Sequence, residues 1–196
     1  FKDELTNFLD NVPENIIVVL DGAYSEFITE KKYCDGIKLI DKYKNLIVTR
    51  TFSKIFALAG LRLGWGYSNR DIIELLEKIR GPFNVNAVAQ FIGCKILEEK
   101  SFLNNAVKHN KKWQEILPER INEMGLETVK SYTNFVLIKV NPKRYSKKKI
   151  LLFLKKNKIL VRSLESYNLK NYFRVSIGSD NNMKKFLRIL KMSINQ

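Results

Sequence analysis

Histidine and cysteine are nearly absent. The 196-residue chain holds one histidine, His109, and two cysteines, Cys34 and Cys94. Neither cysteine belongs to a CxxC or Cys/His cluster, so a metal site built from these residues is excluded. Two widely separated thiols point to a reducing, cytoplasmic setting with no disulfides. No apolar run approaches the roughly 20 residues that span a bilayer, so no membrane segment is expected. The opening residues, Phe1-Lys2-Asp3-Glu4-Leu5, carry acid and lack the apolar stretch of a signal peptide. There is no initiator Met, and the chain reads as part of a longer protein.

Hydrophobic residues make up 45% of the chain, enough for one core or for a split core with a smaller second one. Charged residues make up 28% and mix both signs, a composition that excludes disorder. The net charge of +15 raises the question of nucleic acid. The lysines, however, are spread over many helical segments and interleaved with Glu and Asp. The densest block, Lys143-Arg144-Tyr145-Ser146-Lys147-Lys148-Lys149, reads as a helix start with a solvated face. No zinc-finger or RNP-like signature accompanies it, so no nucleic-acid partner is expected.

Hydrophobic periodicity predicts a helix over 3–11. The β-branched run Asn15-Ile16-Ile17-Val18-Val19-Leu20-Asp21 then predicts a buried parallel strand. Residues 35–43 are expected to be helical, 45–51 to repeat the buried-strand pattern, and 61–67 to form a third strand shaped by glycines. Helices are expected from Asp71 to the Gly81-Pro82 stop, over 85–99, and over 101–124. Gly125 is placed as a C-cap. Beyond it come two strands between Leu126 and Val140, a helix at 146–157, strands at 159–162 and 172–177, and a helix at 180–193. The fold class is α/β, with a sheet-and-helix part over 1–125 and a small α+β domain over 126–196. The aromatics Trp65, Tyr67, Phe83 and Phe91 are expected to be core residues.

Chemistry concentrates at two strand ends. Lys54 follows the 45–51 strand, at the carboxyl edge where α/β sheets place ligands. Thr51 and Ser53 supply hydroxyls beside it, and Arg62 supplies a guanidinium able to grip a phosphate. Asp21 and Tyr24 follow the first strand and reach the same edge. A lone lysine is ordinarily solvated. A carboxylate, a phenol, an amine and a guanidinium delivered together make a site.

These segments, D-x-A-Y from Asp21 and S-K-x-x-x-L-x-G-L-R-x-G from Ser53, resemble the fold-type I pyridoxal-phosphate aminotransferases. The spacings also match, with 33 residues from Asp21 to Lys54 and eight from Lys54 to Arg62. The resemblance implies that Lys54 carries pyridoxal 5'-phosphate as a Schiff base. Asp21 would pair with the pyridinium nitrogen and Tyr24 with the ring O3′. Thr51, Ser53 and Arg62 would hold the cofactor phosphate.

Arg80-Gly81-Pro82-Phe83-Asn84-Val85-Asn86, Thr133-Asn134-Phe135, and the segments around Arg162 and Arg174 narrow the resemblance to histidinol-phosphate aminotransferases. That family implies transamination between glutamate and imidazole-acetol phosphate, yielding histidinol phosphate and 2-oxoglutarate in histidine biosynthesis. It also implies a cytoplasmic homodimer. Arg174 would take the substrate's acidic end, and Arg162 would assist with its phosphate. The alternatives are a broad aromatic or other amino-acid aminotransferase and a threonine-phosphate-type decarboxylase. Val175-Ser176-Ile177-Gly178-Ser179 fits the transaminase better. A basic nucleic-acid module is the non-enzyme alternative, but it has no use for Asp21, Tyr24, Lys54 and Arg62 at these spacings. The family's upstream segment is absent here, so this chain alone is expected to show little or no transaminase activity.

Overall fold

The computed structural model describes residues 1–194. The chain forms two compact units, Phe1–Val107 and Lys108–Gln196.

In the first unit, β1 (Val18–Asp21) pairs in parallel with β2 (Leu46–Thr51), with Asp21 opposite Thr49. β3 (Gly64–Tyr67) pairs antiparallel with β2, with Gly64 opposite Thr51. Alternation drives β2: Leu46 and Val48 point into a core with Leu9, Leu39, Ile40 and Tyr43. Leu9 comes from α1 (Lys2–Asp10). α2 (Arg70–Ile79) and α3 (Ala87–Glu98) both start at asparagine caps. The Asn69 side chain accepts from the Ile72 amide at 3.1 Å, and that of Asn86 from the Ala89 amide at 2.8 Å. A second small core, Phe52, Ile55 and Phe56, packs on Leu63, Ile96 and Leu103.

α4 (Lys100–Glu123) runs on into the second unit. There β4 (Glu127–Val129), β5 (Phe135–Lys139), β6 (Arg162–Ser163) and β7 (Tyr172–Ser176) form an antiparallel sheet in the order β4-β5-β7-β6. The alternate residues Val136, Ile138, Phe173 and Val175 pack on α4, α5 (Lys147–Lys156) and α6 (Asp180–Ile194). Gly125 ends α4 at φ +78°, a conformation L side chains rarely adopt.

Four expectations need correction. The buried strand expected over 15–21 is shorter and covered on one face only: it runs Val18–Asp21, where Val18 and Leu20 pack on the core while Val19, like Ile16 and Ile17 before it, is exposed. Residues 35–43 are not a helix. Gly36, at φ +82°, starts a 3-10 turn over Ile37–Leu39, and the amides of Lys42 and Tyr43 both return to the Leu39 carbonyl. The strand at 159–162 shrinks to Arg162–Ser163. Lys158 turns at φ +59°, and the Ile159 amide caps α5 through the Leu154 carbonyl instead of joining the sheet. Finally, Trp65, Tyr67, Phe83 and Phe91 are exposed, with Phe83 at 97% and Phe91 at 67%. Trp65 and Tyr67 lie on the edge strand β3, all four of whose residues are exposed.

Candidate active site

Parallel pairing of β1 and β2 brings Asp21 and the Lys54 loop to the same end of the sheet. The Asp21 carboxylate is exposed, and its Oδ1 accepts the Ala23 amide at 3.0 Å, which turns the chain toward Tyr24. Across the strand pair, buried Phe52, Ile55 and Phe56 pin the Lys54 loop from below, so that Lys54 itself faces solvent. The Lys54 Nζ lies 5.4 Å from the centroid of the Tyr24 ring. The amine and the phenol ring, 30 residues apart in sequence, are therefore neighbours.

Thr51 Oγ1 accepts the Ser53 amide at 3.0 Å and fixes the turn that leads out of β2. The Ser53 hydroxyl lies 3.5 Å from Arg62 Nη1, a loose contact in which both groups can face a shared anion. Arg62 holds φ +55°, which is strained for a residue that carries a Cβ. A 2.7 Å bond from its Nη1 to the Ala59 carbonyl helps to secure it. Asp21, Tyr24, Thr51, Ser53, Lys54 and Arg62 thus all occupy one end of the sheet.

Arg162 and Arg174 belong to the second unit. They are direct register partners on β6 and β7 and both line a cavity of about 480 Å³, together with Lys158, Lys185 and Asn182. The Arg174 guanidinium sits 4.7 Å from the Phe135 ring centroid. Its Nε is buried and has no hydrogen-bond partner among the described residues. Arg162 is exposed and donates to the Tyr167 hydroxyl at 3.0 Å. Like charges placed opposite one another repel, so an anion bound between them is favoured.

Two features escaped the sequence reading. Residues 108–196 carry 21 of the 35 Lys and Arg but only six of the 20 Asp and Glu, so the whole +15 lies there and residues 1–107 are balanced. Arg50, on the inward-facing side of β2, is buried beneath the Asp21–Tyr24 turn. A charge in phase with Leu46 and Val48 was the available signal for Arg50. Among the described residues no group of His, Cys, Asp and Glu is arranged to hold a metal ion.

The end of the sheet in the first unit thus presents an amine, a carboxylate, a phenol and a guanidinium together. The structure superposes on the histidinol-phosphate aminotransferase from Clostridium acetobutylicum with a TM-score of 0.89 and 26% identity, covering 100% of this chain and 59% of that one. The family model for aminotransferase class I and II matches residues 2–190, and the chain belongs to that family.

Among curated relatives it is 40% identical over 190 residues to a histidinol-phosphate aminotransferase of Caldicellulosiruptor saccharolyticus, covering 97% of this chain and 52% of that protein. It is 42% identical over 173 residues to the one from Halalkalibacterium halodurans, covering 88% and 46%. The chain therefore spans about half the length of the curated relatives it matches.

Proposed function

We propose that the full-length protein is a pyridoxal-phosphate-dependent histidinol-phosphate aminotransferase, moving an amino group between glutamate and imidazole-acetol phosphate. The carrying observation is the Lys54 amine beside Tyr24, at the sheet end that also presents Asp21, Ser53 and Arg62. The donor set suits the cofactor. Lys54 would supply the amine that anchors it, Asp21 the anion for a protonated ring nitrogen, and Tyr24 a phenol for the ring oxygen. Thr51, Ser53 and Arg62 would supply the phosphate grip. When bound, pyridoxal phosphate supplies an electron sink for the charge left at the substrate Cα.

The chain's own groups do the rest. With its amine free, Lys54 would take the Cα proton of the amino donor as a general base and, in the return half-reaction, deliver a proton to the corresponding carbon of the keto acceptor as a general acid. Its position on a loop pinned by Phe52, Ile55 and Phe56 keeps the amine in place for both transfers. Arg174 offers the guanidinium that lines the cavity to the substrate's carboxylate or phosphate, and Arg162 assists with the phosphate.

Residues 1–125 are proposed as part of the large cofactor domain and 126–196 as the small domain. A homodimer in the cytoplasm completes the reading. Trp65, Tyr67, Leu75, Ile79 and Phe91 offer apolar surface suited to further protein. Among the described residues no helix is long and apolar enough to cross a membrane.

The test is to load the full-length protein with pyridoxal phosphate, reduce it with borohydride and map the labelled lysine by mass spectrometry. Turnover is then assayed with histidinol phosphate, aromatic amino acids and threonine phosphate. Label on Lys54 with preference for histidinol phosphate is expected. No label, label on another lysine, or preference for another donor rejects the proposal.

A further inference from the structure

Arg50 is the most buried charge of the first unit, its side chain only 4% exposed. It stands on β2 between Thr49, the register partner of Asp21, and Thr51. Its Nη1 donates to the Thr49 carbonyl at 3.0 Å, and that same oxygen accepts the Gly22 amide at 3.0 Å. Gly22 rests directly on the guanidinium: a Cβ there would lie 1.7 Å from Arg50 Nη1 and 2.8 Å from Ser25 Oγ. The glycine is thus required for close approach, as its backbone is not in the left-handed region. Two carboxylates flank the guanidinium, Asp35 at 3.2 Å from Nη2 and Glu26 at 3.6 Å from Nε. The Trp65 ring lies 5.7 Å from its carbon.

We infer that Arg50, braced by Glu26 and Asp35, is a positioning residue that sets the height of the Asp21–Tyr24 turn above the sheet and so aims both side chains. The inference rests on the reading of Asp21, Tyr24 and Lys54 given above.

As a device for stability alone, the arrangement is a poor one. An apolar side chain in phase with Leu46 and Val48 would fill the position without desolvating a charge. The pairing is also incomplete. Glu26 Oε2 is buried without a hydrogen-bond partner among the described residues, and burial pushes the Glu26 carboxyl above its ordinary range despite Arg50. What the guanidinium does provide is direction. A rigid fork bonded to β2 supports Gly22, one residue from Asp21 and two from Tyr24. Small displacements matter here, since a shift of about 1 Å in a reacting group can lower a rate by about 100-fold.

The test uses the full-length protein loaded with pyridoxal phosphate, as wild type and as Arg50→Lys, Arg50→Met, Gly22→Ala and Asp35→Asn. Three quantities are read: the melting temperature of the cofactor-free protein, the pH midpoint of the cofactor's visible absorption change, and kcat apart from KM. Arg50→Met and Gly22→Ala are expected to move the midpoint by about one unit, the equivalent of a tenfold change in equilibrium. They are expected to lower kcat by about 10- to 100-fold with KM for glutamate within about twofold. Arg50→Lys should recover part of both.

Should Arg50→Met fail to fold, Asp35→Asn decides. That side chain is 41% exposed and its loss removes one brace only, so a smaller shift in the same direction is expected. Variants that lose melting temperature yet keep the wild-type midpoint and kcat overturn the positioning role and leave the proposed function standing. A wild type that takes up no cofactor on Lys54 overturns both.

Discussion

Arg174 and Arg162 face one cavity but differ in burial, and that difference predicts unequal effects on the two amino donors. Arg174 is half-buried against Phe135 and lines the cavity, so an anion there gains hydrogen bonds partly shielded from water. Hydrogen bonds to charged groups contribute about 1.5–3 kcal/mol each. Losing a two-pronged grip in Arg174→Gln is taken conservatively as about 3 kcal/mol, or about 150-fold in kcat/KM. Arg162 is exposed and already bonded to Tyr167, and its contribution is discounted to about 1 kcal/mol, about fivefold. On the proposed function, glutamate and histidinol phosphate would both deliver an anion to Arg174, so Arg174→Gln should lower kcat/KM for both. Arg162 is proposed to assist the phosphate, so Arg162→Gln should lower kcat/KM for histidinol phosphate alone. Arg174→Lys keeps the charge without the fork and falls between. Half-reactions of the full-length protein with each donor separate the cases. An Arg174→Gln protein within about twofold of wild type, or an Arg162→Gln protein that loses glutamate and histidinol phosphate equally, refutes the assignment.

Three further predictions concern stability, acid and salt. Phe173, fully buried under α6, should lose about 3–5 kcal/mol of stability as Phe173→Ala in urea unfolding, and a loss under about 1 kcal/mol contradicts the packing. Asp180 accepts from Lys112 Nζ at 3.0 Å and Trp113 Nε1 at 2.6 Å, and these bonds hold its pKa below the ordinary 3.8. Its contribution is therefore present above 3.8 and is lost as pH falls through the lowered folded value. In Trp65→Phe, where Trp113 is the sole tryptophan, the emission change on acidification should centre below 3.8 and vanish in Asp180→Asn, and a midpoint at or above 3.8 argues against the bond. With the entire +15 in residues 108–196, kcat/KM for histidinol phosphate should drop at least about tenfold as the Debye length shrinks from about 30 to about 3 Å. A drop of similar size is expected for glutamate, whose net charge is likewise about −1, and a kcat/KM insensitive to salt would argue against steering by this unit.

Local pattern made the cluster at the strand ends legible. The β-branched runs ending at Asp21 and Thr51 announce parallel strands, and parallel strands put their carboxyl ends on one edge, so Asp21, Tyr24 and Lys54 could be assembled before any coordinates. Other features depended on what lies across space. Aromatic identity argues for burial, yet Trp65 and Tyr67 sit on an edge strand, and burial there depends on what covers it. The apolar spacing of 37–43 suits a helix, but Gly36 and the ion pair from Asp35 to Arg50 hold the segment as turns. The brace under the site was the least legible feature. Arg50 falls in phase with Leu46 and Val48 and so marks a charge on the inward face, but Glu26 and Asp35 each read as a surface charge and no local spacing ties them to it. Their meaning appears only when Gly22 is seen against the guanidinium. The groups proposed to meet a ligand lie at strand ends, where short motifs record them. Groups that hold those motifs in place are chosen by contact between segments, and a contact of that kind leaves no local spacing to read.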